Sequence, residues 1–126
     1  MNDQQPTLTL TEIVLDAPDA HQLAEFYVRL LGEPIARAES DWVTIRPAQG
    51  PTLAFSTEPA YVRPVWPSQS SDQQMMLHLD FQVDDLERAV AHAVEAGAQV
   101  ASFQPQRDVR VMLDPAGHPF CLWVEP

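Results

Sequence analysis

Apolar and polar residues alternate along Glu12–Ala17 and again along Met76–Val83, the period-two mark of a strand with one covered face. After each run the apolar positions recur every three or four residues. They are Leu23, Phe26, Tyr27, Leu30 and Leu31 in the first stretch, and Leu86, Ala89, Val90, Ala93 and Val94 in the second. Both stretches predict an amphipathic helix. Asp19 stands where the first helix needs an N-cap and Gly32 where it must stop. Asp84-Asp85-Leu86-Glu87 reads as an Asp-initiated capping box for the second, which Gly97 ends. Three short strand-like runs follow each helix, at about 34–38, 42–47 and 51–57, then at about 98–103, 108–113 and 119–124. Each half is therefore β-α-β-β-β.

The halves also match in their punctuation, which predicts a duplicated unit. EIVLDAPDAHQLAEFYVRLLG, beginning at Glu12, lies over HLDFQVDDLERAVAHAVEAG, beginning at His78. Asp19 falls on Asp85, and Gly32 on Gly97 after a one-residue slip. WVTIRPAQGPTLAF lies over VRVMLDPAGHPFCLW, with Pro47-Ala48 on Pro115-Ala116, Ala54 on Cys121 and Phe55 on Leu122. The expected organisation is one domain over 1–126, with units at about 8–57 and 76–125. The Pro-, Ser- and Gln-rich segment 58–75 between them predicts an extended connector. Its AYVRPVWP run is suited to lie over a site or against a second subunit.

Composition narrows the function classes. With 126 residues and 45% hydrophobic content, one real core is within reach. Seven basic residues against eighteen acidic ones give a net charge of −11, which argues against nucleic acid or an anionic membrane as partner. No apolar run approaches the roughly 18 residues of a membrane span. MNDQQPTLTL has neither the basic nor the apolar region of a signal peptide. Cys121 is the single cysteine, so no intramolecular disulfide forms, in keeping with a cytoplasmic setting.

The β-α-β-β-β order, with the motifs DPAGHPF and HLDFQVDD, resembles the vicinal oxygen chelate superfamily of glyoxalases, bleomycin-resistance proteins and extradiol dioxygenases. The likeness runs from about Leu8 to Val124 and looks nearest to actinobacterial glyoxalase-like domains. It implies an α+β fold, two βαβββ units paired into one domain, with a curved, mixed, antiparallel-rich sheet and a concave cup. That scaffold serves lyases, isomerases, dioxygenases and drug-binding proteins alike, so it does not fix the function.

In such a fold the residues of one strand parity face the cup. That set is Glu12, Val14 and Asp16; Trp42, Thr44 and Arg46; Met76, His78, Asp80 and Gln82; Arg110 and Met112; Ala54 and Ser56; and Cys121, Trp123 and Glu125. The candidate ligand pocket is Glu12, Trp42, Arg46, His78, Asp80, Arg110, Cys121 and Trp123, a mixture suited to a small polar or aromatic molecule. Two tryptophans on one face weigh against a merely solvated surface.

Metal-dependent members of the resembled superfamily hold their ion with a His, Gln or Glu early in each first strand and a Glu in each closing strand. Here those positions are Glu12, His78, Ala54 and Cys121. Alanine offers no ligand atom, so the usual set is incomplete and no cofactor is expected. The alternative is a divalent zinc, iron, nickel, manganese or magnesium ion on Glu12, His78 and possibly Cys121. Within Phe-Cys-Leu-Trp, Cys121 reads as a small buried hydrophobe. His118 and Asp114 read as turn residues, and His21 and His92 as surface. No phosphate loop, CxxC or nucleophile elbow occurs.

Three functions remain open from the residues. The first is a small-molecule-binding protein without the full metal site, forming a homodimer. The second is a metal-dependent lyase, isomerase or dioxygenase using Glu12 and His78. The third is a dimeric interaction module with no ligand.

Overall fold

A computed structural model describes residues 5–126 of the chain; the first four residues of the N-terminal segment, read above as carrying no signal peptide, lie outside them. The alternation in Glu12–Ala17 gives strand β1, with Leu15 and Ala17 buried and Val14 and Asp16 exposed. Helix α1 spans Ala20–Leu31. Asp19 caps it, its side chain accepting from the amides of His21 and Gln22. Gly32 closes it in the left-handed conformation at φ 68°, where a side chain is strained. Strands β2 (Ile35–Ala38), β3 (Trp42–Ile45) and β4 (Thr52–Thr57) complete a four-stranded sheet in the order β1-β4-β3-β2. The β1–β4 pair is parallel and the others antiparallel.

The second half repeats this plan with β5 (Leu79–Gln82), α2 (Leu86–Ala96), β6 (Gln99–Val100), β7 (Val109–Leu113) and β8 (Pro119–Trp123). Its sheet runs β5-β8-β7-β6, again with one parallel pair, β5–β8. Among the described residues no strand of one sheet pairs with a strand of the other.

Three expectations shift in this half. The strand drawn from Met76 begins at Leu79, and Leu77, whose place in the alternation opposite Met76 and His78 predicts the helix-covered side, is 59% exposed. The partner strand explains this, since β8 starts at Pro119, which has no amide hydrogen to extend the ladder. The cap of α2 is Asp85, bonded to the amide of Arg88 at 3.1 Å, so Glu87 falls inside the first turn and closes no box. Val94 lies outside the buried stripe, which turns toward Ala93 and Ala96. Those small residues let α1 come close: Arg29 Nε donates to the Ala96 carbonyl at 2.9 Å, and His92 Nε2 lies 2.9 Å from the Leu30 carbonyl oxygen.

One apolar cluster serves both halves. Leu15, Val43, Ile45, Leu53 and Phe55 from the first sheet and Met112, Phe120 and Leu122 from the second all belong to it. Helix α1 joins them, since Tyr27 stacks on Phe55 (5.4 Å between centroids) while Phe26 reaches Phe120 (6.0 Å). Tyr27 also donates its hydroxyl proton to Asp114 Oδ2 at 2.8 Å. Asp114, in the turn before β8, is 1% exposed and accepts as well from the amides of Ala116 and His118 and pairs with His118 Nδ1. Burial, and then the nearby Asp114 carboxylate, push the Tyr27 hydroxyl well above its usual pKa, so it stays a donor.

The connector packs on this same turn of its own chain. Tyr61 donates to the Ala116 carbonyl (2.7 Å), Arg63 Nη1 to that of Pro115 (2.9 Å), and Trp66 lies against Phe103 (5.7 Å). Gly117, at φ 92°, leaves space for Arg63, whose Cγ would sit 2.5 Å from an added Cβ. Tyr27→Phe removes one donor to a buried carboxylate and should destabilise the protein by about 1.5–3 kcal/mol in urea unfolding. A loss under about 0.5 kcal/mol would show that the link between the halves is not needed.

Candidate functional site

Strand register sorts the side chains on the faces away from the helices. In the first sheet Val14 pairs with Ala54 and Thr44 with Ala54, while Trp42 and Asp16 both pair with Ser56. Paired residues share a face, and the core residues Leu15, Val43 and Phe55 occupy the opposite one. Glu12, Val14, Asp16, Trp42, Thr44, Ala54 and Ser56 therefore stand on the outer face, as expected. Arg46 lies just beyond the end of β3 and is exposed.

In the second sheet Asp80 and Val111 both pair with Cys121, and Gln82 and Val109 with Trp123. This corrects two assignments. Arg110 pairs with Leu122 and Met112 with Phe120, which puts both on the core side; Met112 is fully buried. Arg110 Nη1 donates to the carbonyls of Arg107 and Val109 instead of facing a ligand. The error comes from laying Pro47-Ala48 over Pro115-Ala116. The ladders equate Thr44 with Val111, so the Pro-Ala pair sits one residue later in the second turn, and one residue inverts a strand's faces.

The two outer faces differ sharply in chemistry. Glu12, Val14 and Ala54 on the first correspond to His78, Asp80 and Cys121 on the second. The second set converges: a ligand atom from each of the three lies within 4.8 Å of the others. Asp80 stands between its partners, with His78 Nε2 3.1 Å from its Oδ1 and the Cys121 thiol hydrogen-bonded to it. Asp80 lies directly across a parallel pair from Cys121, and His78, just before β5 begins, stands two residues from Asp80 on the same side. Glu12 stands on the other sheet, outside the cluster. Asp80 was legible as a cup residue, but its place between His78 and Cys121 follows from pairing that a single strand does not reveal.

Desolvation, and then the Asp80 carboxylate, push the Cys121 thiol from about 9 up to about 11. A thiol so held is a poor nucleophile at neutral pH, and no positive group in the cluster lowers it.

A family model, described as glyoxalase-like domain, matches residues 12–123. The chain belongs to the glyoxalase-like domain family. Solved structures share this glyoxalase-like fold at low identity. One is a glyoxalase/bleomycin resistance protein/dioxygenase family enzyme from Burkholderia phytofirmans PsJN, 17% identical with TM-score 0.68, covering 90% of this chain and 96% of that one. A glyoxalase-related enzyme from Fulvimarina pelagi is 18% identical with TM-score 0.67, covering 95% and 90%. Lactoylglutathione lyase from Agrobacterium tumefaciens is 16% identical with TM-score 0.61, covering 95% and 96%. No curated protein matches the chain. No helix among the described residues is long and apolar enough to cross a membrane.

Iodoacetamide should label Cys121 at pH 8 about 100-fold more slowly than an ordinary thiol, because two units of pKa remove that share of thiolate. The rate should climb until about pH 11, and Asp80→Asn should raise it at pH 8. The sign for stability agrees: the folded state holds the proton more tightly, so stability declines as pH rises from about 9 toward 11. Fast labelling at pH 7 would contradict the half-buried, acid-facing thiol.

Proposed function

We propose that this glyoxalase-like protein binds a small polar or aromatic molecule on its outer sheet faces and lacks the family's usual four-position metal set. One observation carries this reading. Ala54, at 0% exposure, occupies the first closing-strand position, where an ion would require a carboxylate. The residues present do not fit that set, and no reaction step is derived through it. Half-buried Trp42 and Trp123 supply aromatic surface, while Ser56, Asp80 and Gln82 supply hydrogen-bonding groups beside them.

A second reading has its own support in the convergence of His78, Asp80 and Cys121. A nitrogen, a carboxylate oxygen and a sulfur form a donor set for zinc or another borderline-soft ion, held by one sheet alone. The family includes metal chemistry of this general kind, and one similar structure is named a lactoylglutathione lyase.

A homodimer fits either reading. β1 and β5 each end a sheet, and the segments before them expose Leu8 (88%), Leu10 (77%), Met76 (82%) and Leu77 (59%), apolar surface that a second copy would cover. A cytoplasmic setting keeps Cys121 reduced.

Elemental analysis of protein purified without chelators separates the readings. The first expects less than about a tenth of an equivalent of any transition metal, with His78→Ala and Cys121→Ser folding as the parent does. One equivalent of zinc that disappears in both variants would overturn it and establish the second.

A further inference from the structure

A cavity of about 390 Å³ lies away from the outer-face cluster, between β1, the connector and the turn that Asp114 organises. None of the eight residues expected to line a ligand pocket borders it. Its size falls in the lower part of the roughly 300–1,000 Å³ range of small-molecule sites. Its walls are largely apolar, with Val14, Val62, Pro64, Met75, Leu77 and Pro119 among them.

The polar groups on the same wall are unevenly committed. Tyr61 spends its hydroxyl proton on the Ala116 carbonyl at 2.7 Å. His118 is gripped from behind, its Nδ1 lying 2.8 and 3.0 Å from the two oxygens of Asp114. That contact places the neutral ring's proton on Nδ1 and leaves Nε2 as an acceptor. Among the described residues the nearest partner of Nε2 is the Tyr61 oxygen at 3.4 Å, whose proton already points elsewhere. The turn therefore uses one edge of the imidazole, and the other is free to accept. Asp16 and Glu58 also line the cavity, and no Lys or Arg does. Gln73 and Gln74 add neutral amides, so every charged group on the wall is an anion.

We propose that this cavity is a binding site for a small organic ammonium, a protonated amine on an apolar or aromatic body. The ammonium sets its charge against Asp16 and Glu58 and donates to His118 Nε2. Its body rests on the valine, proline and methionine wall, where the thioethers adapt to irregular shapes. The acidic lining rejects carboxylates and phosphates by like-charge repulsion. The net charge of −11 favours approach of a cation over long range. Val14 and Asp16 stand on the first sheet's outer face, so the site borders the surface of the outer-face reading, while Trp42, Trp123, His78, Asp80 and Cys121 do not line it and it does not depend on them.

Calorimetric titration of the full chain with benzylammonium, benzyl alcohol and benzoate compares three probes of one shape. Benzylammonium should bind saturably, benzyl alcohol at least about 5-fold more weakly, and benzoate not measurably. Asp16→Asn and Glu58→Gln, both on accessible positions, should each weaken benzylammonium by about 3- to 10-fold. His118→Gln should weaken it too, and circular dichroism then shows whether the turn survived. Benzoate binding as well as benzylammonium, or the absence of any binding, would overturn the proposal. So would binding that ignores Asp16→Asn and Glu58→Gln yet is lost in Trp123→Ala, an outcome that assigns the probe to the tryptophan surface of the second sheet.

Discussion

The carboxylate of Asp114 is 1% exposed, and a charge so buried persists only where donors surround it. Three of its donors come from its own turn: the amides of Ala116 and His118 and the His118 ring. The fourth is Tyr27, on the helix of the other half. One desolvated group thereby shapes the turn that launches β8 and ties α1 into the second unit's core. The aromatic packing of Phe26 and Tyr27 on Phe120 requires the same docking. Because the two sheets share no strand pairing among the described residues, the shared apolar cluster, this polar tie and the helix contacts join the halves. The connector adds to it, since Tyr61 and Arg63 bond to carbonyls of the same turn.

The elements themselves were legible because each has a local cause. Asp19, Gly32 and Gly97 bound helices by capping chemistry that depends on few neighbours. The alternation in β1 and the helical stripe of α1 state which side is covered. What misled was non-local. The extent of β5 depends on Pro119 in a partner strand, and Leu77 alone carries no sign of it. The faces of β7 depend on its register with β8, and the repeated Pro-Ala pair misleads because it sits one residue later in the second of two turns of equal length. Arg110 and Met112 were misplaced for that reason. Val94 was misplaced because tight packing on α1 favours alanine faces over larger ones.

The candidate sites divide in the same way. His78, Cys121 and Ala54 were identifiable from their places in the repeat, which is a property of one chain segment compared with another. The convergence of Asp80 with His78 and Cys121 needed the parallel pairing of β5 with β8. The Asp114–His118–Tyr61 arrangement needed more, since 55 and 57 residues separate Tyr61 from the groups it meets. The one local hint was spacing: Asp114 and His118 stand four apart around a glycine that permits the reversal. A polar turn residue was a sound reading of His118, and it accounts for one edge of the ring.

The two units follow one plan, and they differ in the side chains of their outer faces. Equivalent positions hold Glu12 and His78, Val14 and Asp80, Ala54 and Cys121, so ligand atoms gather on one outer face and are sparse on the other. A site assembled from both faces depends on how the two sheets are set relative to each other. A site within β5 and β8 depends only on one ladder's register, which the rest of that sheet enforces. The second sheet can therefore hold a geometry of its own while the first varies. Its Cys121 thiol, held protonated beside Asp80, is suited to fill and polarise that face rather than to attack a substrate.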